Sequence, residues 1–164
     1  MRRRAAARAC QFRRRLAEHA TMFRQLSPRV FASPQIGLDE VAEAARLGVG
    51  LIVNNRPEGE SDDQVPGAAI EAAARAAGIG YVAIPVTHAG FSESQVRAMA
   101  EALGASDAPV LAYCRSGTRS TLLWALAEAS RGASPQALAD AAAGAGYDLT
   151  PVRALVDMLA AGGK

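Results

Sequence analysis

Cysteine is scarce in this sequence, because the 164 residues contain only Cys10 and Cys114. Two cysteines cannot build the disulfide framework of a small secreted domain, and no cluster of cysteine and histidine has the spacing of a metal site. We therefore expect a cytoplasmic protein with no bound metal and no cofactor.

Long hydrophobic runs are also missing, since charged residues, glycine or proline interrupt every apolar stretch before the roughly 20 residues that span a bilayer. This excludes an integral membrane protein. Hydrophobic residues make up 50% of the chain and charged residues 21%, and at this length such a composition is typical of one globular domain.

Acidic residues are nearly absent from the first 21 positions, which contain seven arginines and one glutamate. The net charge of this segment is therefore +6. Because the net charge of the whole chain is +2, residues 22–164 carry a net charge of −4. A basic arm can contact nucleic acid or an anionic membrane surface, and it also resembles a transit peptide. We interpret residues 1–21 as a disordered arm without such a partner, and residues 22–164 as a single catalytic domain.

Apolar runs and helical periods alternate along that domain. The predicted strands are residues 29–33, 50–55, 81–86 and 108–114, and the predicted helices are residues 38–48, 67–80, 92–104, 119–132, 134–146 and 150–162. Strands that are apolar throughout are covered on both faces. The pattern predicts an α/β fold with a mostly parallel sheet of about four strands and helices on both faces.

The stretch VLAYCRSGTRSTLLW, residues 110–124, places Cys114 at the end of the last predicted strand and directly before a helix. In open α/β sheets, ligands bind beyond the carboxyl ends of the strands. The thiolate is the nucleophilic form of cysteine, and nearby cations and a helix N-terminus stabilise it. We therefore predict Cys114 as the nucleophile and Arg119 as the arginine that binds an anion.

The residues around Cys114 are unsuited to a buried apolar site, and they suit an anion. Gly117 lets the loop curl so that backbone N–H groups turn inward. The hydroxyl groups of Ser116, Thr118 and Ser120 supply further donors, and we expect Thr118 and Ser120 to stabilise the thiolate or a sulfur atom bound to it. The predicted anion-binding loop comprises Arg115, Ser116, Gly117, Thr118 and Ser120.

A second polar stretch, NNRPEGE, follows the strand at residues 50–55 on the same edge of the predicted sheet. We predict that Asn54, Asn55 and Arg56, with His88 from a neighbouring loop, form a second wall that reaches the anion or braces the loop. The alternative is a structural turn in which Arg56 pairs with Glu58 or Glu60.

Together, the stretches SPRVFASPQI, LIVNNRPEGE, YVAIPV and VLAYCRSGTRS resemble the phosphatase-like domain of the beta-lactamase-hydrolase-like family. The cysteine-loop-arginine arrangement is also similar to the dual-specificity phosphatases. The resemblance spans about residues 24–132 and implies a protein-tyrosine-phosphatase-like fold, with Cys114 as nucleophile and Arg119 as anion-binding residue.

Two departures from the phosphatase pattern favour sulfur chemistry. Four residues separate Cys114 from Arg119, where the phosphatase pattern has five, and the shorter loop resembles that of rhodanese sulfurtransferases. The loop THAGFSESQ, residues 87–95, also lacks the aspartate that protonates the leaving group in those phosphatases, although His88 or Glu93 could replace it. We therefore predict a sulfurtransferase with a Cys114 persulfide intermediate.

Its substrate would be a small anion, thiosulfate or a persulfide, with a thiol or a persulfide-handling protein as acceptor. One alternative is a phosphatase that hydrolyses phosphomonoesters through a Cys114 phosphoenzyme. A second is a non-catalytic module that binds anions or relays a persulfide.

Overall fold

A computed structural model describes residues 22–105 and 107–162, so the predicted basic arm lies outside the described residues. The strands are β1 (Arg24–Gln25), β2 (Val30–Ser33), β3 (Leu51–Asn54), β4 (Gly80–Ala83) and β5 (Val110–Tyr113). The four predicted strands are all present, each shorter than its apolar run. The additional strand β1 has two exposed residues and no apolar pattern, which is why the sequence does not reveal it.

The sheet has the order β1-β2-β5-β3-β4. Strand β1 pairs with β2 antiparallel, and the other neighbours are parallel. Strand β5 lies in the middle, with Tyr113 paired to Ser33 of β2 and to Asn54 of β3. The residues that follow these three strands therefore emerge together at one edge, and Cys114 is central among them.

The helices are α1 (Leu38–Arg46), α2 (Gly67–Ala76), α3 (Glu93–Gly104), α4 (Thr118–Ser130), α5 (Pro135–Gly144) and α6 (Arg153–Gly162). Ser92 and Gln95 form a capping box on α3, and Ser134 caps α5 ahead of its first-turn proline. Thr150 and Pro151 have the same pattern of a cap residue followed by proline, which favours a cap on the last helix. Instead Thr150 begins a 3₁₀ turn, and the Asp148 carboxylate accepts from the Thr150 backbone N–H at 2.9 Å.

The two faces of the sheet carry separate hydrophobic cores, as the continuous apolar strands predict. Helices α1 and α2 cover one face, and α3, α4, α5 and α6 cover the other. Helix α4 is buried on nearly every side from Ser120 to Ala127, because α3, α5 and α6 pack around it. Among the described residues, no helix is long and apolar enough to cross a bilayer.

Candidate active site

Cys114 directly follows β5 and begins a tight loop that becomes α4 at Thr118. The loop turns at Gly117, whose φ of 91° lies in the left-handed region that favours glycine. The Gly117 backbone N–H donates to the Cys114 sulfur at 3.1 Å. The thiol has no solvent-exposed surface, so the sulfur lies beneath the loop and not on it.

Tyr147, in the segment after α5, packs against the outside of this loop. Its hydroxyl donates to the Ser116 carbonyl at 3.2 Å, and a Cβ at position 117 would overlap that hydroxyl. Burial raises the pKa of Tyr147, the nearby Arg24 lowers it, and the charge of Cys114 raises it further. Sequence reasoning missed Tyr147, because no motif marks it and 33 positions separate it from the cysteine.

Arg119 lies in the first turn of α4, and Glu60 holds both ends of its guanidinium. Nη1 donates to Glu60 Oε2 at 2.7 Å, and Nη2 donates to Glu60 Oε1 at 2.8 Å. Nη1 also donates to the Val86 carbonyl at 2.7 Å. The other edge of the guanidinium is formed by Nε–H and the second Nη2–H. No oxygen of the described residues accepts from it, and the Cys114 side chain lies within hydrogen-bond reach of the guanidinium.

The charges of this pair stabilise each other. The hydrogen bond from Arg119 holds the pKa of Glu60 at about 2, with burial opposing the shift and Arg56 adding to it. The hydrogen bond to Glu60 raises the pKa of Arg119, against burial, and the charge of the nearby Cys114 raises it further. Glu60 is therefore ionised at neutral pH and cannot supply a proton to a leaving group.

Arg56 belongs to the scaffold behind this ion pair. Its guanidinium is almost fully buried and donates to Glu60 Oε1 at 3.0 Å, to Gln35 at 3.0 Å and to the Ser61 hydroxyl at 3.1 Å. The Asn54 side chain accepts from the Arg56 backbone N–H and donates to the Tyr81 hydroxyl. The alternative of a turn that pairs Arg56 with Glu60 is thus observed, and the turn holds Glu60 against Arg119.

The Ser120 hydroxyl does not hydrogen-bond the Cys114 sulfur, contrary to the prediction. Its buried hydroxyl donates to Asn55 Oδ1 at 2.8 Å, and Asn55 Nδ2 donates in turn to the Ile84 carbonyl at 2.9 Å. Ser120 is one position beyond Arg119 on α4, so its side chain leaves the helix in a different direction and reaches Asn55, which follows β3. The chain of hydrogen bonds ties α4 to the loops that follow β3 and β4.

The remaining predicted loop residues are exposed, and the Thr118 hydroxyl does not reach the sulfur either. It accepts from the Ser116 hydroxyl at 3.0 Å, which closes the loop upon itself. Arg115 is exposed at the rim, where its carbonyl accepts from the Gln35 N–H at 3.2 Å. His88 is exposed in the loop after β4, two positions beyond the Val86 carbonyl that binds Arg119.

The arrangement places a cysteine sulfur, an inward N–H and an arginine with one open edge at the centre of the sheet edge. This combination can bind an anion with a reactive central atom over the sulfur. Together with the mostly parallel five-stranded sheet, it defines a phosphatase-like fold of the protein-tyrosine-phosphatase type.

The family follows from the sequence. Residues 22–131 match the model of the beta-lactamase hydrolase-like protein, phosphatase-like domain, and the chain belongs to that family. A beta-lactamase hydrolase-like protein of Xylella fastidiosa is 38% identical over 103 residues, which are 63% of this chain and 24% of the relative. The matched part thus spans about a quarter of the curated relative's length.

Solved structures agree with this assignment. A candidate phosphatase of Neisseria meningitidis has 31% sequence identity and a TM-score of 0.75, with 85% of this chain and 99% of that chain covered. TpbA of Pseudomonas aeruginosa, crystallised with pTyr, shares the fold at 21% identity and a TM-score of 0.61, with 88% and 91% covered. These findings favour the phosphatase alternative over the sulfurtransferase that the loop length predicted.

Proposed function

We propose that this protein is a cysteine-dependent phosphatase acting on phosphomonoesters, with Cys114 as nucleophile and Arg119 as the anion-binding residue. The observation that carries the proposal is the open Nε–Nη2 edge of Arg119 beside the Cys114 sulfur. Glu60 and Val86 occupy the other donors, so the guanidinium is fixed while this edge stays available. A side edge of this kind matches two oxygens of a phosphoryl group.

The same contacts give the substrate its orientation. One phosphoryl oxygen pair would lie on Arg119, which directs the phosphorus toward the sulfur, and the exposed Arg115 would attract the dianion from solvent. Because Cys114 has no exposed surface, the loop around it has to open slightly as the anion enters, while Glu60 and Val86 hold Arg119 in place. The complex of TpbA with pTyr supports an aryl phosphate as the substrate class.

The reaction has two steps. The Cys114 thiolate attacks phosphorus, so that an S–P bond forms and the P–O bond to the leaving group breaks, and the leaving oxygen takes a proton from water or from His88. Water then attacks the phosphocysteine, the S–P bond breaks, and inorganic phosphate and the thiolate are released. The thiolate must stay reduced between turnovers, which fits the cytoplasm.

The test is hydrolysis of p-nitrophenyl phosphate, with an acid quench to capture the phosphocysteine for intact-mass measurement. We expect turnover and a phosphoryl adduct in the native protein, and neither in Cys114→Ser. Arg119→Lys keeps the charge without the planar fork, and its KM should rise at least about tenfold. Full activity in Cys114→Ser would refute the proposal.

Sulfur transfer is the second candidate, and the four-residue spacing between Cys114 and Arg119 favours it. In this reaction the thiolate attacks the sulfane sulfur of thiosulfate, an S–S bond forms on Cys114, and sulfite leaves with the electron pair of the broken bond. A thiol acceptor then takes the sulfur. No proton donor is needed, which agrees with the lack of an aspartate in residues 87–95.

Intact mass separates the two candidates. Incubation with thiosulfate should add one sulfur atom to the native protein and none to Cys114→Ser if sulfur transfer is the activity. A sulfur adduct that a thiol acceptor removes, without turnover of aryl phosphates, would establish the second candidate in place of the first.

A further inference from the structure

The peptide unit between Ser116 and Gly117 has a partner on each side. Its N–H donates inward to the Cys114 sulfur at 3.1 Å, and its carbonyl accepts from the Tyr147 hydroxyl outside the loop at 3.2 Å. The C=O and N–H of a trans peptide point in opposite directions within one plane. Any rotation of this plane therefore weakens both hydrogen bonds together.

The residues next to the Ser116–Gly117 peptide restrict its orientation only weakly. Gly117 has no Cβ, so it adopts positive and negative φ at similar cost, and the preceding peptide can turn over more easily than at other residues. Among the residues that the structure describes, the side chains of Ser116 and Thr118 hydrogen-bond only to each other and to the Thr118 backbone N–H. The carbonyl of Ser116 is therefore the point at which the rest of the protein can hold the plane.

Tyr147 is well placed to do this. The segment after α5 carries it, outside the residues 22–131 that match the family model. Its ring is half-buried, and its hydroxyl fills the space that a side chain at position 117 would need. The contact thus depends on glycine at 117 and on the C-terminal helices that position the tyrosine.

We propose that Tyr147 is a positioning residue for the nucleophile: its hydroxyl holds the Ser116–Gly117 peptide in the orientation that presents the Gly117 N–H to the Cys114 sulfur. The kinetic part of this inference rests on the proposed function. The structural part does not, because the Gly117 amide reports on the hydrogen bond to sulfur whatever the substrate is.

The test is Tyr147→Phe, which removes only the hydroxyl, in the full chain. We expect kcat for p-nitrophenyl phosphate to fall about 3- to 10-fold with KM within twofold, since one hydrogen bond to the loop is lost while Arg119 is untouched. In the ¹H–¹⁵N spectrum, the Gly117 amide should shift toward its position in Cys114→Ala, because both variants weaken the donation to sulfur.

Tyr113→Phe is the matched control. Tyr113 directly precedes Cys114, but none of the hydrogen bonds observed in the cysteine loop involves its buried hydroxyl, so its removal should leave kcat and the Gly117 amide unchanged. Melting temperatures of both variants show whether they fold.

The outcomes are separable. A Gly117 amide that stays at its native position in a folded Tyr147→Phe protein overturns the inference, as does an unchanged kcat. If the native protein turns over no aryl phosphate, the proposed function fails, and the amide shift alone then decides the role of Tyr147.

Discussion

Both Nη atoms of Arg119 donate to the carboxylate of Glu60, at 2.7 and 2.8 Å, although 59 positions separate the two residues. The carboxylate also accepts from the buried Arg56, so one glutamate joins two arginines. The guanidinium beside the Cys114 sulfur is therefore held in one orientation by the protein itself.

Glu60→Gln should separate catalysis from binding. The neutral amide loses one acceptor and frees Arg119, which weakens anion binding, but it also removes a negative charge, which strengthens binding, and each effect is about 1 kcal/mol. We expect KM for p-nitrophenyl phosphate within about threefold of native, and kcat lower by about tenfold or more because orientation is lost. Asp157→Asn, which removes an exposed ion pair with Arg153, should change neither constant. A native kcat in Glu60→Gln would contradict this role.

The stability of the protein should depend on pH through the carboxyl group of Glu60. Its pKa falls from an ordinary value of 4.5 to about 2 in the folded protein, so its stabilisation is complete above pH 4.5 and is lost as the pH falls toward 2. The full contribution is on the order of 3 kcal/mol. Urea titrations from pH 7 to pH 2 should show that the free energy of unfolding of the native protein exceeds that of Glu60→Gln at neutral pH, and that this difference disappears within this window. A constant difference between the two proteins would contradict the prediction.

Substrates with good leaving groups should be strongly preferred. Glu60 is ionised and residues 87–95 contain no aspartate, so the proton for an alkoxide has to come from water or from the exposed His88. A well-placed general acid typically contributes about 10²- to 10⁴-fold. We expect kcat/KM for p-nitrophenyl phosphate to exceed that for phosphoserine by more than about 100-fold. Similar rates for the two would contradict this prediction, and if His88→Gln then lowered only the phosphoserine rate, His88 would be the acid.

Gly117→Ala should disable the site and destabilise the fold. A methyl group at this position meets the Tyr147 hydroxyl, and a φ of 91° is strained for alanine, at a cost of about 1–3 kcal/mol. Activity should fall at least about tenfold. Gly144→Ala, at the end of α5 with open space around its Cβ position, should be neutral or slightly stabilising. Equal effects of the two substitutions would contradict the structural argument.

Ser120→Ala should act mainly on stability. Without the hydroxyl, the buried Asn55 Oδ1 loses its donor, and leaving such a group unpaired costs about 1–3 kcal/mol. We expect a lower free energy of unfolding in urea and a kcat within about threefold of native. Ser130→Ala, on the same helix but half-buried near its end, should cost less than 1 kcal/mol. A large loss of kcat without a loss of stability would contradict this prediction and indicate that Ser120 takes part in the reaction.

The fold could be predicted because its signals are local. Four apolar runs give four strands, and a glycine or an N-cap marks most helix ends. The meeting of Cys114 and Arg119 is also local, since five positions and one turn of helix join them. Strand β1 was not predictable, because its two exposed residues pair only with the backbone of β2.

The site was predictable only in part, because its remaining contacts are long-range. The stretch NNRPEGE predicted that Asn54, Asn55 and Arg56 reach the anion or brace the loop, and Asn55 does brace α4 through Ser120. Glu60 was predicted only as a partner of Arg56, and its bonds to Arg119 across 59 positions could not be read from the sequence. Ser120 was assigned to the sulfur because it lies near Cys114 in sequence, but on a helix its side chain faces Asn55. Tyr147 and Ser116 meet only after α5 has folded back.

The burial of α4 on nearly every side has a consequence for dissecting this protein. Helices α5 and α6 lie beyond residue 131, where the family match ends, and they cover apolar surface of α4 that leads directly into the cysteine loop. A fragment cut at that boundary would expose apolar surface of α4 to water, which favours aggregation. The segment after residue 131 is thus a structural support of the cysteine loop, although the family match does not include it.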